Sequence, residues 1–416
     1  MPPVRMAHEL TSTSPCAKVL NADASQTIAP GSARPHRLRE LFMGTARSGA
    51  EQLDTLDGLR GLAVLVVVAS HLSNLGMHLL PGLSLSGIGK NGVYLFFVLS
   101  AFLLTRVLLQ RPLNQWSRPQ QWADYVLRRV LRIWPLYLVV LLTSWVLTLR
   151  GVDGWHYRID TAALQSHLLL REGQSVLWSI PVEFTFYLWL PLFALALAWN
   201  RHRGGTLATE AAAVIAALVA ASLVWPPDAT AFNDVRLGPH LPLFLCGAWA
   251  ASLDLHLRNR PATGASVRGW GFAAAVVVAA LALTVPSVWS LVSATPADPA
   301  RSHRWFLFFG VAWSTLLLAV LHGPRLLQAT FAWKPLRWVG VVSFSVYLWH
   351  MVVLDGLVYF GVQALPYAAG AVLTASLVVA AASYLAFERP WRNVRWARPR
   401  ASLAERGARA GSRDTP

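Results

Sequence analysis

The chain has 416 residues, of which 55% are hydrophobic and only 13% are charged. Soluble globular domains carry about a quarter of charged residues, so this composition excludes a soluble domain and indicates a membrane protein. The net charge of +16 is compatible with nucleic-acid binding. The basic residues, however, follow the pattern of membrane loops, and we expect a lipid bilayer and no nucleic acid as the partner.

About ten apolar stretches follow one another along the chain. Each is near the roughly 20 residues that a helix needs to cross about 30 Å of hydrocarbon. They lie at residues 59–80, 91–109, 133–149, 182–199, 210–225, 241–257, 270–291, 305–321, 339–360 and 367–387. Their periodicity favours helices over the alternating pattern of a membrane barrel. The sequence therefore predicts an all-α, polytopic membrane protein with about ten transmembrane helices.

The loops between these stretches differ in charge. If both termini are cytoplasmic, 29 of the 36 Lys and Arg residues fall in cytoplasmic segments. This asymmetry is what the positive-inside rule expects, so we predict cytoplasmic termini and a multi-pass location in the cell inner membrane. Residues 1–50 and 393–416 are basic and poor in apolar residues, and we expect two disordered tails around one membrane domain at 51–392.

The first span carries two ionisable residues on one predicted helix. Arg60 and His71 are eleven residues apart, which places them on nearly the same face and roughly 16 Å apart along the axis. Ionisable groups inside spans are costly and tend to mark functional sites. The structural alternatives are a snorkelling anchor for Arg60, a hydrogen-bonded interhelical residue for His71, and a helix N-cap for Asp57.

A basic cluster precedes the third span. Arg129 and Arg132 are one helical turn apart and can converge on a phosphate group, with Arg128 beside them. The alternative is the ordinary positive-inside role of any cytoplasmic arginine cluster.

Three further ionisable residues lie within or beside later spans. Glu183 opens the fourth span on the predicted outer side, where an unpaired carboxylate is expensive, so we expect it to have a partner or a function; helix capping is the alternative. For His350, in an aromatic helix, packing between helices is as good an explanation as catalysis. The segment 387–392, which contains Glu388, is interpreted as the end of the last span, held by a local ion pair, with a structural role.

Taken together, these segments resemble the acyltransferase-3 family of membrane O-acyltransferases. The matching segments in chain order are 56–61 (Leu-Asp-Gly-Leu-Arg-Gly) with His71, 92–100, 129–137, Trp178-Ser179 with Glu183, 343–350 and 388–390. Two features depart from the family pattern. Ala101 stands where the family often has glycine, and we expect no hydrolase-like domain after the last span, as in the stand-alone members that the chain resembles.

The resemblance implies transfer of an acyl group from cytoplasmic acyl-CoA, with acetyl as the family default. The implied acceptor is a hydroxyl of a carbohydrate, such as an exopolysaccharide or lipopolysaccharide sugar, or of a glycosylated small molecule. His71 matches the histidine regarded as essential, Arg60 the basic residue that precedes it, and Arg129 with Arg132 the Arg-x-x-Arg motif.

From these observations we predict that the CoA phosphates bind to four arginines, Arg60, Arg128, Arg129 and Arg132. We predict that His71 is catalytic, as a general base or a covalent acyl relay, and that Glu183 orients the acceptor or the imidazole. Only two cysteines occur, too few for a Cys-based metal site, and no metal is expected.

Two other classes of function compete with an acyltransferase. A transporter or flippase for a lipid-linked sugar or small metabolite would use His71, Glu183 and His350 to relay protons. It predicts paired halves and broken helices, which the sequence does not indicate. A membrane scaffold without catalysis predicts tolerance of substitutions at both Arg60 and His71.

Overall fold

The computed structural model describes residues 50–296 and 298–394, and these residues form helices, turns and loops with one isolated bridge between Leu80 and Leu83. By its contacts the chain divides into Met1–Thr45 and Ala46–Pro416. Met1–Thr45 lies outside the described residues, and every described helix belongs to Ala46–Pro416. The predicted all-α class is thus confirmed for the described part of the chain. The predicted tails fall almost wholly outside it.

Fifteen α-helices are described, and we number them in chain order. They are α1 (Ala50–Asn74), α2 (Gly89–Leu109), α3 (Pro119–Leu149), α4 (Thr161–Leu168), α5 (Ser179–His202), α6 (Leu207–Val224), α7 (Leu237–Leu257), α8 (Gly264–Ala282), α9 (Pro286–Ser293), α10 (Pro299–Ser302), α11 (Phe306–His322), α12 (Arg325–Phe331), α13 (Lys334–Val341), α14 (Ser343–Tyr359) and α15 (Ala368–Ser383). A π-helical turn, Tyr384–Glu388, continues α15.

Seven of the described helices are long and apolar enough to cross a membrane, and up to nine spans result if each of two bent helix pairs counts as one. The bends are 108° between α11 and α12 and 77° between α13 and α14. The predicted span 241–257 corresponds to α7, which is not among these candidate membrane-crossing helices. Its apolar character is lowered by His240, Asp254 and two prolines. The multi-pass class is supported, whereas the count of about ten stays a prediction.

The helix α1 lies at the centre of the helices that build the site. It packs against α2, α13 and α14, while α2 in turn packs against α7 and α7 against α11. The helix begins at Ala50, seven residues before Asp57. The interpretation of Asp57 as an N-cap is therefore wrong, because its position inside the helix leaves its backbone within the helical ladder.

Glycines allow the α12–α13 segment to lie directly on α1. A Cβ atom at Gly58 would overlap the Phe331 carbonyl, and one at Gly61 would overlap the Leu336 carbonyl. On the opposing helix, a Cβ atom at Gly340 would overlap the Asp57 carbonyl. Small residues at such interfaces let helix backbones approach closely in a membrane. The glycines of the first sequence motif therefore have a packing role, and the contact they permit holds α13 and α14 against Arg60 and His71.

We expect Gly340→Ala to destabilise the protein by about 1–3 kcal/mol, because the added methyl group forces α1 and α13 apart. The matched control is Gly356→Ala on α14, where a Cβ atom meets nothing within 4 Å. That control is expected to keep or slightly raise stability, since alanine is the better helix former. Thermal unfolding of the purified protein in detergent measures both. Equal unfolding temperatures for the two variants would contradict the packing role.

Candidate active site

The imidazoles of His71 and His350 form a hydrogen-bonded pair between α1 and α14. His71 Nδ1 lies 3.0 Å from His350 Nε2, and the ring centroids are 5.1 Å apart. His350 Nδ1 lies 2.8 Å from the carbonyl oxygen of Tyr347 and 3.1 Å from that of Val346. The two histidines, 279 residues apart in sequence, thus form one unit.

The carbonyl partners decide which nitrogen of each neutral ring carries the proton. A carbonyl oxygen only accepts, so His350 Nδ1 is the donor and His350 Nε2 accepts. His71 Nδ1 must then donate to His350 Nε2, which leaves the lone pair of His71 Nε2 available. His350 is buried, whereas His71 is half-buried and lines a cavity. His71 is therefore oriented as a proton acceptor, and His350 holds that orientation.

The four predicted arginines come together in one cavity of about 240 Å³, which we name the arginine cavity. It is lined by Arg60, Arg128, Arg129 and Arg132 with Glu388 among others. Residues from α1, the first half of α3 and the π-helical turn after α15 thus form a single basic pocket. The size and charge suit phosphate groups, which arginine binds by paired hydrogen bonds.

The four guanidinium groups are held differently. Arg132 pairs with Glu388 at 2.7 Å, and Arg128 pairs with Asp124 at 2.5 Å on its own helix. Arg129 lies over the ring of Tyr187, 5.7 Å from its centroid, and its buried Nε has no hydrogen-bond partner among the described residues. In the described part of the chain no carboxylate pairs with Arg129, so its positive charge is not neutralised by a neighbour.

Arg60 is tied to both neighbouring elements of the site. Its Nη1 lies 3.4 Å from Asp57 Oδ1 on α1, and its Nη2 lies 3.3 Å from Ser343 Oγ at the start of α14. Glu388, which receives Arg132, also accepts a hydrogen bond from Ser345 on α14. The interpretation of the 387–392 segment as a span end held by a local ion pair is wrong, because Glu388 pairs with Arg132, 256 residues earlier.

A second cavity, of about 160 Å³, adjoins the first and is named the central cavity. Arg60, Arg129 and Arg132 line both, and Glu183 lines the central one. Ser100 Oγ donates to Glu183 Oε1 at 2.7 Å, and the Tyr187 hydroxyl donates to the same oxygen.

Glu183 thus has the partners that its sequence position indicated. They belong to the arginine end of the site, and no hydrogen bond links it to His71. Glu183 also lies four residues inside α5, so it does not cap that helix.

A third cavity, of about 240 Å³, contains His71 and is named the histidine cavity. It shares Val93 and Tyr347 with the central cavity. Tyr347 is buried, donates its hydroxyl to the Val176 carbonyl at 2.6 Å and accepts from Ser179 Oγ at 2.9 Å. Three neighbouring cavities therefore lie between the arginines and His71, and Tyr347 lines both the central cavity and the histidine cavity.

No group of three or more His, Cys, Asp or Glu residues in the described part of the chain has an arrangement that could hold a metal ion. Cys246 is buried in α7 and Cys16 lies outside the described residues.

The helical membrane fold and the site together define a family. A family model described as Acyltransferase domain, that of the acyltransferase-3 family, matches residues 53–386. The chain belongs to this family. The resemblance carried by the sequence motifs is therefore confirmed.

Curated relatives share this part of the chain. The peptidoglycan O-acetyltransferase OatA of Listeria monocytogenes is 26% identical over 329 residues, which cover 74% of this chain and 50% of the relative. The O-acetyltransferase OatA of Staphylococcus aureus is 24% identical over 336 residues, which cover 72% of this chain and 50% of the relative. A third relative is BcsY of Komagataeibacter xylinus, whose name describes a membrane-bound transacylase. It is 29% identical over 359 residues, which cover 80% of this chain and 81% of the relative.

The chain spans about half the length of the two O-acetyltransferases named above. No solved structure matches it significantly.

Proposed function

We propose that this chain is a membrane O-acyltransferase that moves an acyl group, acetyl by family default, from acyl-CoA to a hydroxyl group. The acceptor is a carbohydrate, such as an exopolysaccharide or lipopolysaccharide sugar, or a glycosylated metabolite. One observation carries the proposal: His71, whose Nε2 is left as a proton acceptor, lines a cavity that adjoins the central cavity, and the central cavity adjoins the arginine cavity. The names of the relatives support acyl transfer.

In this proposal the arginine cavity binds the CoA phosphates. Arg129 supplies the guanidinium group without a hydrogen-bond partner at its buried Nε, and Arg60, Arg128 and Arg132 complete the positive field. The pantetheine arm extends through the central cavity past Tyr347, and the thioester reaches the histidine cavity. Because the arm lies between helices, water is kept from the thioester during transfer.

His71 acts on the acceptor hydroxyl in the histidine cavity. Its Nε2 takes the hydroxyl proton while the oxygen forms a bond to the acyl carbon. The carbon–sulfur bond breaks, and the CoA sulfur leaves with the proton that His71 passes on. The hydrogen bond from His71 Nδ1 to His350 keeps the reactive nitrogen directed at the cavity. A covalent acyl-histidine remains the alternative route for the same nitrogen.

Glu183 has a positioning role at the donor site in this proposal. It accepts a hydrogen bond from Tyr187, against whose ring the Arg129 guanidinium lies. A carboxylate in this place fixes the ring and, through it, the arginine. This role replaces the predicted one, orientation of the acceptor or the imidazole, because the contacts of Glu183 lie at the arginine end.

The proposed location is the cell inner membrane, with the arginine cavity on the cytoplasmic side, where acyl-CoA is available. The excess of basic residues in the predicted cytoplasmic loops supports this orientation. We further propose residues 51–392 as the catalytic membrane domain, with the tails at 1–50 and 393–416 as cytoplasmic extensions.

The test uses the full-length protein in lipid nanodiscs with radiolabelled acetyl-CoA and a cell-envelope polysaccharide fraction. We expect label on the polysaccharide and release of free CoA thiol. A control without protein corrects for spontaneous thioester hydrolysis. A transporter or flippase would move its substrate across vesicles without consuming acetyl-CoA, and that result would contradict the proposed function.

A further inference from the structure

Three side chains beyond the predicted set, those of Ser175, His156 and Asp355, form a hydrogen-bonded series, and Ser175 lines the histidine cavity. His156 Nε2 lies 2.7 Å from Ser175 Oγ, and His156 Nδ1 lies 2.6 Å from Asp355 Oδ2. The carboxylate accepts from Nδ1–H, so Nε2 holds the lone pair that faces the serine hydroxyl. This is the arrangement of nucleophile, base and orienting acid that activates a serine, which is recognised by geometry and not by sequence order.

The serine is accessible from the cavity that contains His71. Ser175 and His71 both line it, and Ser175 is half-buried. The Ser175 backbone has φ of 51°, in the left-handed region that residues other than glycine rarely adopt. Backbone strain of this kind clusters at functional sites and also occurs where a turn presents a nucleophilic serine. The Ser175 hydroxyl therefore contacts His156 while the Ser175 backbone adopts an uncommon conformation.

The series lies far from the arginine cavity. Arg132 lies in the first half of α3, and His156 follows the end of that helix at Leu149. The stretch from Arg132 to Leu149 spans roughly 25 Å of helix, most of a bilayer core. Asp355 likewise lies near the end of α14, whose start contacts Arg60 through Ser343. The serine thus lies on the side of the membrane opposite to the proposed CoA phosphate site.

We propose that Ser175 is an acyl-accepting nucleophile, activated by His156 and Asp355, which carries the acyl group between acyl-CoA and the acceptor. This inference rests on the proposed function and divides its single transfer step into two, so that the acceptor hydroxyl attacks an ester of Ser175 in place of the thioester. The transferred group is the acyl moiety of a CoA thioester, and the second substrate is the acceptor hydroxyl.

The first half of the reaction loads the serine. Ser175 Oγ loses its proton to His156 Nε2 and bonds to the acyl carbon of the thioester. The carbon–sulfur bond breaks, and His156 returns the proton to the CoA sulfur. Asp355 accepts a hydrogen bond from His156 Nδ1 throughout and stabilises the charged ring.

The second half transfers the group. The acceptor hydroxyl gives its proton to His71, and its oxygen bonds to the acyl carbon. The ester bond to Ser175 breaks, and Ser175 Oγ takes the proton from His71. No further reactant is needed, because one thioester and one alcohol give one ester and one thiol.

The test omits the acceptor, so that the serine can be loaded but the acyl group cannot be transferred further. Full-length wild type, His71→Ala and Ser175→Ala are each incubated in nanodiscs with radiolabelled acetyl-CoA, quenched in acid and mapped by peptide mass spectrometry. We expect acetyl on Ser175 in the wild type. His71→Ala should accumulate it, because loading needs only His156, whereas unloading needs His71. Ser175→Ala should carry none.

Two controls exclude loss of folding as the cause. Ser166→Ala makes the same change on α4, outside the histidine cavity, and should label as the wild type does. His156→Ala keeps the serine and should slow its labelling by about 10²–10⁴-fold, the contribution of a general base. Thermal unfolding of all variants confirms that they are folded.

The outcomes also separate this inference from the proposed function. Transfer to polysaccharide at the wild-type rate by Ser175→Ala would overturn the serine intermediate and leave the proposed function intact. Acetyl found on His71 in place of Ser175 would do the same. Consumption of no acetyl-CoA by the wild type, with or without polysaccharide, would overturn both.

Discussion

Replacing His71 by alanine is expected to lower the rate of acyl transfer to the acceptor by about 10²–10⁴-fold, the usual contribution of a general base. The imidazole is the proposed proton acceptor for the acceptor hydroxyl, and the pair with His350 directs its free nitrogen into the histidine cavity. Affinity for acyl-CoA should change little, because the CoA phosphates bind in the arginine cavity. Initial rates and equilibrium binding of CoA measure the two effects separately.

A second histidine variant tests the orientation of the first. His350→Ala keeps the His71 imidazole but removes the acceptor for its Nδ1 proton. We expect kcat to fall by about 10²-fold with little change in KM for acyl-CoA, since misplacement of a reacting group has an effect of that size. His78→Ala, a histidine outside all three cavities, should behave as wild type. For the first variant, full activity of His71→Ala would refute the proposed catalytic role of His71.

The continuous first helix made part of the site predictable. Arg60 and His71 belong to one helix, so their spacing in the sequence gives their spacing in the fold. The Arg128 to Arg132 cluster was also identifiable, because three guanidinium groups within five residues face one region of space. These predictions depend on local periodicity, which a single sequence contains.

The partners of these residues could not be predicted, because they come from distant segments. Glu388 reaches Arg132 across 256 residues, and Asp355 reaches His156 across 199. The position of Asp355 inside an apolar stretch was an available signal, since a carboxylate there is costly without a partner. Ser175 offered no such signal, because serine is a common residue in the segments beside membrane spans.

The helix bends are the part of the fold that the sequence did not indicate, although it predicted the helical class. Apolar content predicts a helix but does not give its direction. The turn at Val342 between α13 and α14 bends a single apolar run, 339–360, by 77°. The bend places Ser343 and Ser345 beside Arg60 and Glu388, so the helix that follows the break contacts two side chains that line the arginine cavity.

Two adjacent arginines should differ in their effect on donor binding. Arg128 is engaged by Asp124 on its own helix, whereas Arg129 Nε has no hydrogen-bond partner among the described residues and lies buried beside the Tyr187 ring. An anion can therefore bind to Arg129 without first displacing a carboxylate. A hydrogen bond between charged groups contributes about 1.5–3 kcal/mol, which corresponds to roughly 10- to 150-fold in binding.

We accordingly expect Arg129→Ala to raise KM for acyl-CoA by about 10- to 100-fold with a smaller change in kcat. Arg128→Ala, the matched change one residue earlier, should raise KM by less than about 5-fold, because the lost charge was already paired with Asp124. The deciding measurement is competition by a CoA analogue that lacks both the 3′-phosphate and the diphosphate of CoA. Its affinity should be the same for wild type and Arg129→Ala. If Arg129→Ala weakened that analogue as much as intact CoA, Arg129 would act on the pantetheine arm or on the fold, and the arginine cavity would not be the phosphate site.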